Sequence, residues 1–241
     1  MRACTSGSIS AHPDDASFIH IDRSILGHEE ASVHACPTGA LHWDSTEYSV
    51  EDLFLEVVRD RVFFSNSKGG VTLSGGEPFS QPGFITTFLE RCRSAGIHTA
   101  IETTLFTSQK FIHAVLPYTD LFLADLKLWN SQAHKESTGV ENDRILMNAR
   151  FLAEVGANIL FRIPLIPGIT TNVNNIQSIA QFVRGLPGDY SIELLNFNPL
   201  AASKYELLGL PYTFSTIRSS LSVEHVEELR QAVRDIGLPV V

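Results

Sequence analysis

The chain has 241 residues, 44% hydrophobic, 9% aromatic and 19% charged, which excludes a disordered chain, a collagen helix and a long coiled coil. Eighteen Lys and Arg stand against 27 Asp and Glu, a net charge of −9; the basic residues are scattered, so no phosphate-tracking surface and no nucleic-acid partner are expected. No apolar run reaches the ~20 residues of a membrane span, and the opening MRACTSGSISAHPDD lacks the apolar stretch of a signal peptide, so the expectation is a cytoplasmic protein with no membrane partner.

Residues 1–48 are short polar and apolar pieces without a strong period, and they are expected to form a small appendage. Their histidines His12, His20, His28, His34 and His42 are spaced unlike any zinc template and read as solvated surface. Cys4, Cys36 and Cys92 in a reducing compartment make no disulfide framework.

From residue 49 onward, amphipathic helical stretches alternate with short runs rich in β-branched and aromatic residues, the rhythm of a parallel α/β fold. Ser49 with Asp52 opens a helix as a capping box, Pro82 suits a first turn, and Gly96 and Gly156 stand just past helix ends. Strands are expected at GGVTLSG (69–75), HTAIETT (98–104), LFLADLK (121–127), NILFRIPLIP (158–167) and YSIELLNF (190–197). Their near-continuous apolarity suits parallel strands covered on both faces. A last helix from Ser222 to Ile236, ended by Gly237, leads into Leu238–Val241 as a final short strand. Right-handed crossovers then give an open partial (β/α) barrel over residues 49–241.

Chemistry in such a sheet sits at the carboxyl ends of the strands, where this sequence breaks each apolar run with polar residues. Strand one ends in Ser74-Gly75-Gly76-Glu77, bare backbone followed by a carboxylate. Strand two ends in Glu102-Thr103-Thr104. Asp125 and Lys127, two residues apart, share a face of strand three. Arg162 interrupts strand four, and Asn196-Phe197-Asn198 ends strand five. Any single break reads as a buried ion pair or a turn; five together describe a pocket for a zwitterion with hydroxyls, such as an amino acid joined to a ribose.

GGVTLSGGEPFSQPGF, ETT, ADLKLWNSQAHKESTG, RIPLIPGIT and LLNFNPLAASKYELLG resemble, in order, the motifs of the glycyl-radical-enzyme activating enzymes of the radical S-adenosylmethionine superfamily. The resemblance spans residues 1 to 210. It implies that the backbone of Gly75, Gly76 and Glu77 holds the methionyl amino group of S-adenosylmethionine. It also implies a cation or ribose site at Glu102, Thr103 and Asp125, carboxylate contacts from Lys127 and Arg162, and Asn198 near the adenosyl group. Leu105 stands where a glycine is common. The implied reaction passes an electron from a [4Fe–4S] cluster to S-adenosylmethionine, and the resulting radical takes hydrogen from a glycine of the partner, a glycyl radical enzyme. A flavodoxin or ferredoxin is the implied electron donor.

The same resemblance reads residues 1–48 as a degenerate ferredoxin-like insert remnant. In IDRSILGHEEASVHACPTGAL, Leu26, Glu29 and Ser32 occupy three cysteine positions and Cys36 remains; RACTSGSIS leaves Cys4. Four thiolates hold such a cluster, so Cys4 and Cys36 are leftover ligands read as small buried thiols, Cys92 is packing, and no metal ligand set is expected. The family's CxxxCxxC is absent from these 241 residues, and with it the strand that carries it. The chain is therefore read as N-terminally truncated, with the first strand missing and an open edge at 69–75, and as incompetent alone. The alternatives are a noncatalytic module that binds S-adenosylmethionine or the partner, and an unrelated α/β barrel enzyme using Asp125 and Lys127.

Overall fold

The structure, a computed structural model, describes residues 3–15, 18–27, 30–43 and 45–241; His28 and Glu29, singled out above, lie outside them. The residues fall into two compact units, Met1–Tyr48 with Ser203–Tyr212 and Ser49–Ala202 with Thr213–Val241. In the first, β1 (Ile9–Ala11) and β2 (Ile19–Ile21) pair antiparallel, Ile9 opposite Ile21, and α1 (Glu30–His34) follows. Strands of three residues are too short for alternation to register in the sequence, which is why no strand was expected there. His20, His34 and His42 are exposed and His12 is partly so.

The second unit opens with α2 (Val50–Val58) and α3 (Arg61–Ser67). Ser49 caps α2 as its spacing implied: Oγ accepts the Asp52 N–H at 3.1 Å and donates to Asp52 Oδ2 at 2.6 Å. The strand–helix alternation then runs β3 (Gly70–Leu73), α4 (Pro82–Ser94), β4 (His98–Thr103), α5 (Gln109–Val115), β5 (Leu121–Asp125), α6 (Ser131–Thr138) and α7 (Asp143–Glu154). It continues through β6 (Ile159–Leu165), α8 (Val173–Arg184), β7 (Ser191–Asn196) and α10 (Val223–Arg234), while α9 (Ala202–Leu207), between β7 and α10 in the chain, lies from Ser203 onward in the first unit. All five expected strands form, and they pair parallel in chain order, β3-β4-β5-β6-β7, as an open partial barrel. β3 lies tight against β4: a Cβ at Gly70 would sit 1.9 Å from the His98 carbonyl oxygen, so glycine is required for this pairing.

Two expectations are corrected. The strands are not covered equally on both faces. One face, with Ile101, Phe122, Ala124, Phe161, Ile163, Ile192 and Leu194, is fully buried; it shares one core with Leu89 of α4, Ile112 of α5, Leu152 of α7, Ile179 of α8 and Leu229 of α10. The other face, carrying Glu102, Leu123, Asp125, Leu160, Arg162 and Glu193, is half-buried. The apolar runs in the sequence conceal this because Leu and Pro alternate with the charges on the open face. Second, Leu238–Val241 forms no full strand. It contributes one bridge at Val240, with Ile192 N–H donating to Pro239 O at 3.1 Å and Val241 N–H to Ile192 O at 3.0 Å.

Candidate functional site

The half-buried face of the sheet gathers the charges that break the strands. Parallel register places Asp125 beside Arg162 and Arg162 beside Glu193, a row across β5, β6 and β7. The Arg162 guanidinium, largely buried, reaches Glu102 Oε1 through Nη1 at 3.0 Å and Glu193 Oε2 through Nε at 3.0 Å, the second without hydrogen-bond alignment. Glu102 also accepts from Ser74 Oγ at 3.0 Å. Lys127 Nζ lies 3.5 Å from Asp125 Oδ2, while Asp125 Oδ1 is buried with no protein partner. Burial raises the Asp125 carboxyl above the usual carboxylate range, although Lys127 and Arg162 pull it back. Glu193 was not anticipated; the strand register places it beside Arg162.

The Gly75-Gly76-Glu77 turn follows β3. Gly75 has φ +116°, a backbone that side-chain-bearing residues rarely adopt, and no atom lies within 4 Å of where a Cβ at Gly75 or Gly76 would stand, so this backbone is open to a ligand. The Glu77 carboxylate is turned to a different use. Oε1 accepts from Thr103 Oγ1 at 2.8 Å and from the Phe79 N–H at 3.3 Å; Oε2 accepts from the Thr104 N–H at 2.9 Å and from Thr104 Oγ1 at 2.6 Å. Glu77 thus ties the glycine turn to the end of β4. Thr103 is buried, and its hydroxyl also accepts the Leu105 N–H at 2.9 Å. Asn198, beyond β7, caps the following turn by accepting the Leu200 N–H at 3.0 Å.

Three asparagines that the sequence did not single out fix the loops beyond the strands. Asn148, on α7, donates to the carbonyls of Leu105 and Thr107, both at 2.9 Å. Asn142 donates to the carbonyls of Leu128 and Trp129 at 2.9 and 2.8 Å. Asn175, on α8, donates to Lys127 O and Thr170 O at 3.1 and 3.0 Å and accepts the Trp129 N–H at 2.8 Å. The signal available in the sequence was weak: polar residues on otherwise apolar helix faces.

Of the three cysteines, Cys4 and Cys36 belong to the first unit and Cys92 to the second. Cys4 and Cys36 are part-exposed rather than buried, which corrects the expectation of buried thiols. Each sulfur accepts the N–H of the residue five positions on, Ile9 and Leu41, both at 3.3 Å. These bonds, with Thr38 Oγ1 beside Cys36, hold the Cys36 thiol down to about 7. Cys92 is fully buried with Phe54, Phe88 and Ile97, and desolvation pushes its thiol up to about 11. Among the described residues no group of three or more His, Cys, Asp or Glu gathers within reach of a metal ion.

Known proteins resemble this chain in sequence and fold. The profile of the Radical SAM superfamily matches residues 34–181. The chain is 39% identical to the isethionate sulfite-lyase activating enzyme of Nitratidesulfovibrio vulgaris, over 86% of this chain and 67% of that protein. It is 36% identical to the (2S)-3-sulfopropanediol dehydratase activating enzyme of Klebsiella oxytoca, over 84% of this chain and 65% of that one, so it spans about two thirds of the length of these relatives. The crystal structure of a domain of pyruvate-formate lyase-activating enzyme from Bacteroides vulgatus superposes with a TM-score of 0.59 at 34% identity, covering 72% of this chain and 98% of that domain.

Proposed function

Because the chain belongs to the radical SAM superfamily and, within it, to the glycyl-radical-enzyme activating enzymes, we propose that the half-buried face of its sheet binds S-adenosylmethionine and that its macromolecular partner is a glycyl radical enzyme. The observation that carries the reading is Asp125, whose Oδ1 is buried without a protein partner beside Lys127 and Arg162. An unsatisfied buried carboxylate oxygen costs free energy that a ligand hydroxyl or cation recovers. The open backbone at Gly75 and Gly76 suits the methionyl amino group, Lys127 and Arg162 suit its carboxylate, and Glu102 with Asp125 suits ribose hydroxyls or a cation. Asn198, at the far end of β7, is assigned to the adenosyl side. The side chains of Glu77 and Thr103 bond to each other, so Glu77 serves the site through its backbone.

When bound, S-adenosylmethionine supplies a sulfonium whose reductive cleavage yields the hydrogen-abstracting group of this family. The protein's own part is to match the zwitterion's charges, hold its carboxylate on two cations and keep water from the reacting end. A [4Fe–4S] cluster does not fit the residues present: three cysteines, none at CxxC spacing, against the four thiolates such a cluster takes, or three with an open position. That spacing favours a second reading, a module that binds S-adenosylmethionine or the partner without catalysis. In either reading a flavodoxin or ferredoxin would serve only where a cluster is supplied. Calorimetric titration with S-adenosylmethionine tests the pocket: the wild type should bind, and Asp125→Ala with Lys127→Ala should weaken binding at least about tenfold, a loss of ~1.4 kcal/mol. Equal heats for the two proteins would remove the assignment.

A further inference from the structure

We infer that Glu193 is a positioning residue for ligand binding, acting through Arg162; the inference rests on the reading that this face holds S-adenosylmethionine. The guanidinium is a rigid planar fork that stays charged at all working pH values, so its direction is set by the carboxylates that engage it. Here two do so from opposite sides, each at 3.0 Å: Glu102 on β4 through Nη1, and Glu193 on β7 at Nε as an ion pair without hydrogen-bond alignment.

The two carboxylates are not equivalent. Glu102 is shared with Ser74 Oγ at 3.0 Å and is itself a candidate for ribose or a cation, so a ligand that draws on Glu102 weakens its hold on Arg162. Glu193 lies directly beside Arg162 in the strand register, on the side away from Asp125 and Lys127. It keeps the guanidinium across the face when Glu102 is recruited. Without it, Arg162 is free to turn toward Glu102 and Asp125, neutralising the groups the ligand needs and leaving the ligand carboxylate with Lys127 alone.

The test is a double-mutant cycle read by calorimetry with S-adenosylmethionine on the full chain: wild type, Glu193→Gln, Arg162→Gln and the double variant. Glu193→Gln keeps the size and removes the charge. It should weaken binding about tenfold, in the range by which supporting partners tune a bound group, with a thermal midpoint close to the wild type. In the Arg162→Gln background the same change should have almost no further effect. Glu193→Asp, which keeps the charge one methylene short, should recover part of the affinity and stands in if the glutamine variant does not fold. Glu193→Gln binding as tightly as wild type, or weakening binding equally with and without Arg162, overturns the positioning role while leaving the pocket intact. Failure of the wild type to bind at all overturns the pocket reading and this inference with it.

Discussion

Leu105 shows a single residue holding two opposed contributions. It follows the Thr103-Thr104 pair with φ +59° and is fully buried. The left-handed backbone costs a side-chain-bearing residue about 1–2 kcal/mol, and burying the leucine returns more, about 2–5 kcal/mol judged by truncations to alanine. The loop therefore keeps the conformation that a glycine would take, with a leucine paying for it by packing. Leu105→Gly should lower unfolding stability by about 2–4 kcal/mol, and Leu105→Ala by at least as much, because alanine keeps the strain and loses the packing. Denaturant unfolding of the two variants checks this; alanine clearly outperforming glycine would contradict it. The thiols separate in the same way by environment. Cys36, part-exposed and held down to about 7 by the Leu41 N–H and Thr38, should be alkylated by iodoacetamide with a rate that rises to half its plateau near pH 7. Cys92, buried and pushed up to about 11, should stay unmodified until the protein unfolds. Mass spectrometry of the alkylated peptides across pH reads both, and equal labelling of the two sites in the folded protein would be the contrary outcome.

At the scale of elements, the loops that follow β4 and β5 are secured by asparagines of neighbouring helices. Asn148 on α7 is the clearest case, with both amide hydrogens given to the carbonyls of Leu105 and Thr107. Asn148→Ala leaves Thr107 O without this donor and deprives Leu105 O of one of two, since the Thr107 N–H also donates to it at 2.8 Å. A buried carbonyl left unsatisfied costs about 1–3 kcal/mol, so the variant should lose about 2–4 kcal/mol and, by loosening the loop that meets Glu77, also bind S-adenosylmethionine less tightly. Melting and titration of the same preparation test both effects; a stability unchanged by the substitution would show that the loop holds itself. The strands and most helix ends were legible in the sequence because their causes are local: β-branched runs, Ser49 three before Asp52, Pro82 at a first turn, Gly96 and Gly156 with φ of +71° and +72°. The asparagine clamps were not legible, since a buried asparagine is read only from what it reaches, here 41 and 43 residues away in the chain.

For the whole molecule, ligand count sets the expected outcome. Reconstituted anaerobically with iron and sulfide, these 241 residues should retain far less than the about four irons per chain of a [4Fe–4S] cluster, because Cys92 is locked in a core and Cys4 and Cys36 are bonded to their own loops. Iron and acid-labile sulfide analysis after desalting decides it, and a stoichiometric cluster would show that other side chains complete the set. The sequence by itself determined the parallel α/β architecture, the order of its strands, the family and the charged residues at the strand ends, because periodicity, turn residues and motif order are properties of neighbours along the chain. Tertiary structure alone decided which of those residues meet. Register across β5, β6 and β7 set Arg162 between Asp125 and Glu193, the pairing of β3 with β4 brought the Glu77 carboxylate onto Thr103 and Thr104, and the sheet kept one face half-open where the apolar runs suggested two covered ones. Pairing of strands fixes such contacts at distances no local pattern encodes, since a shift of one residue would send every side chain to the opposite face.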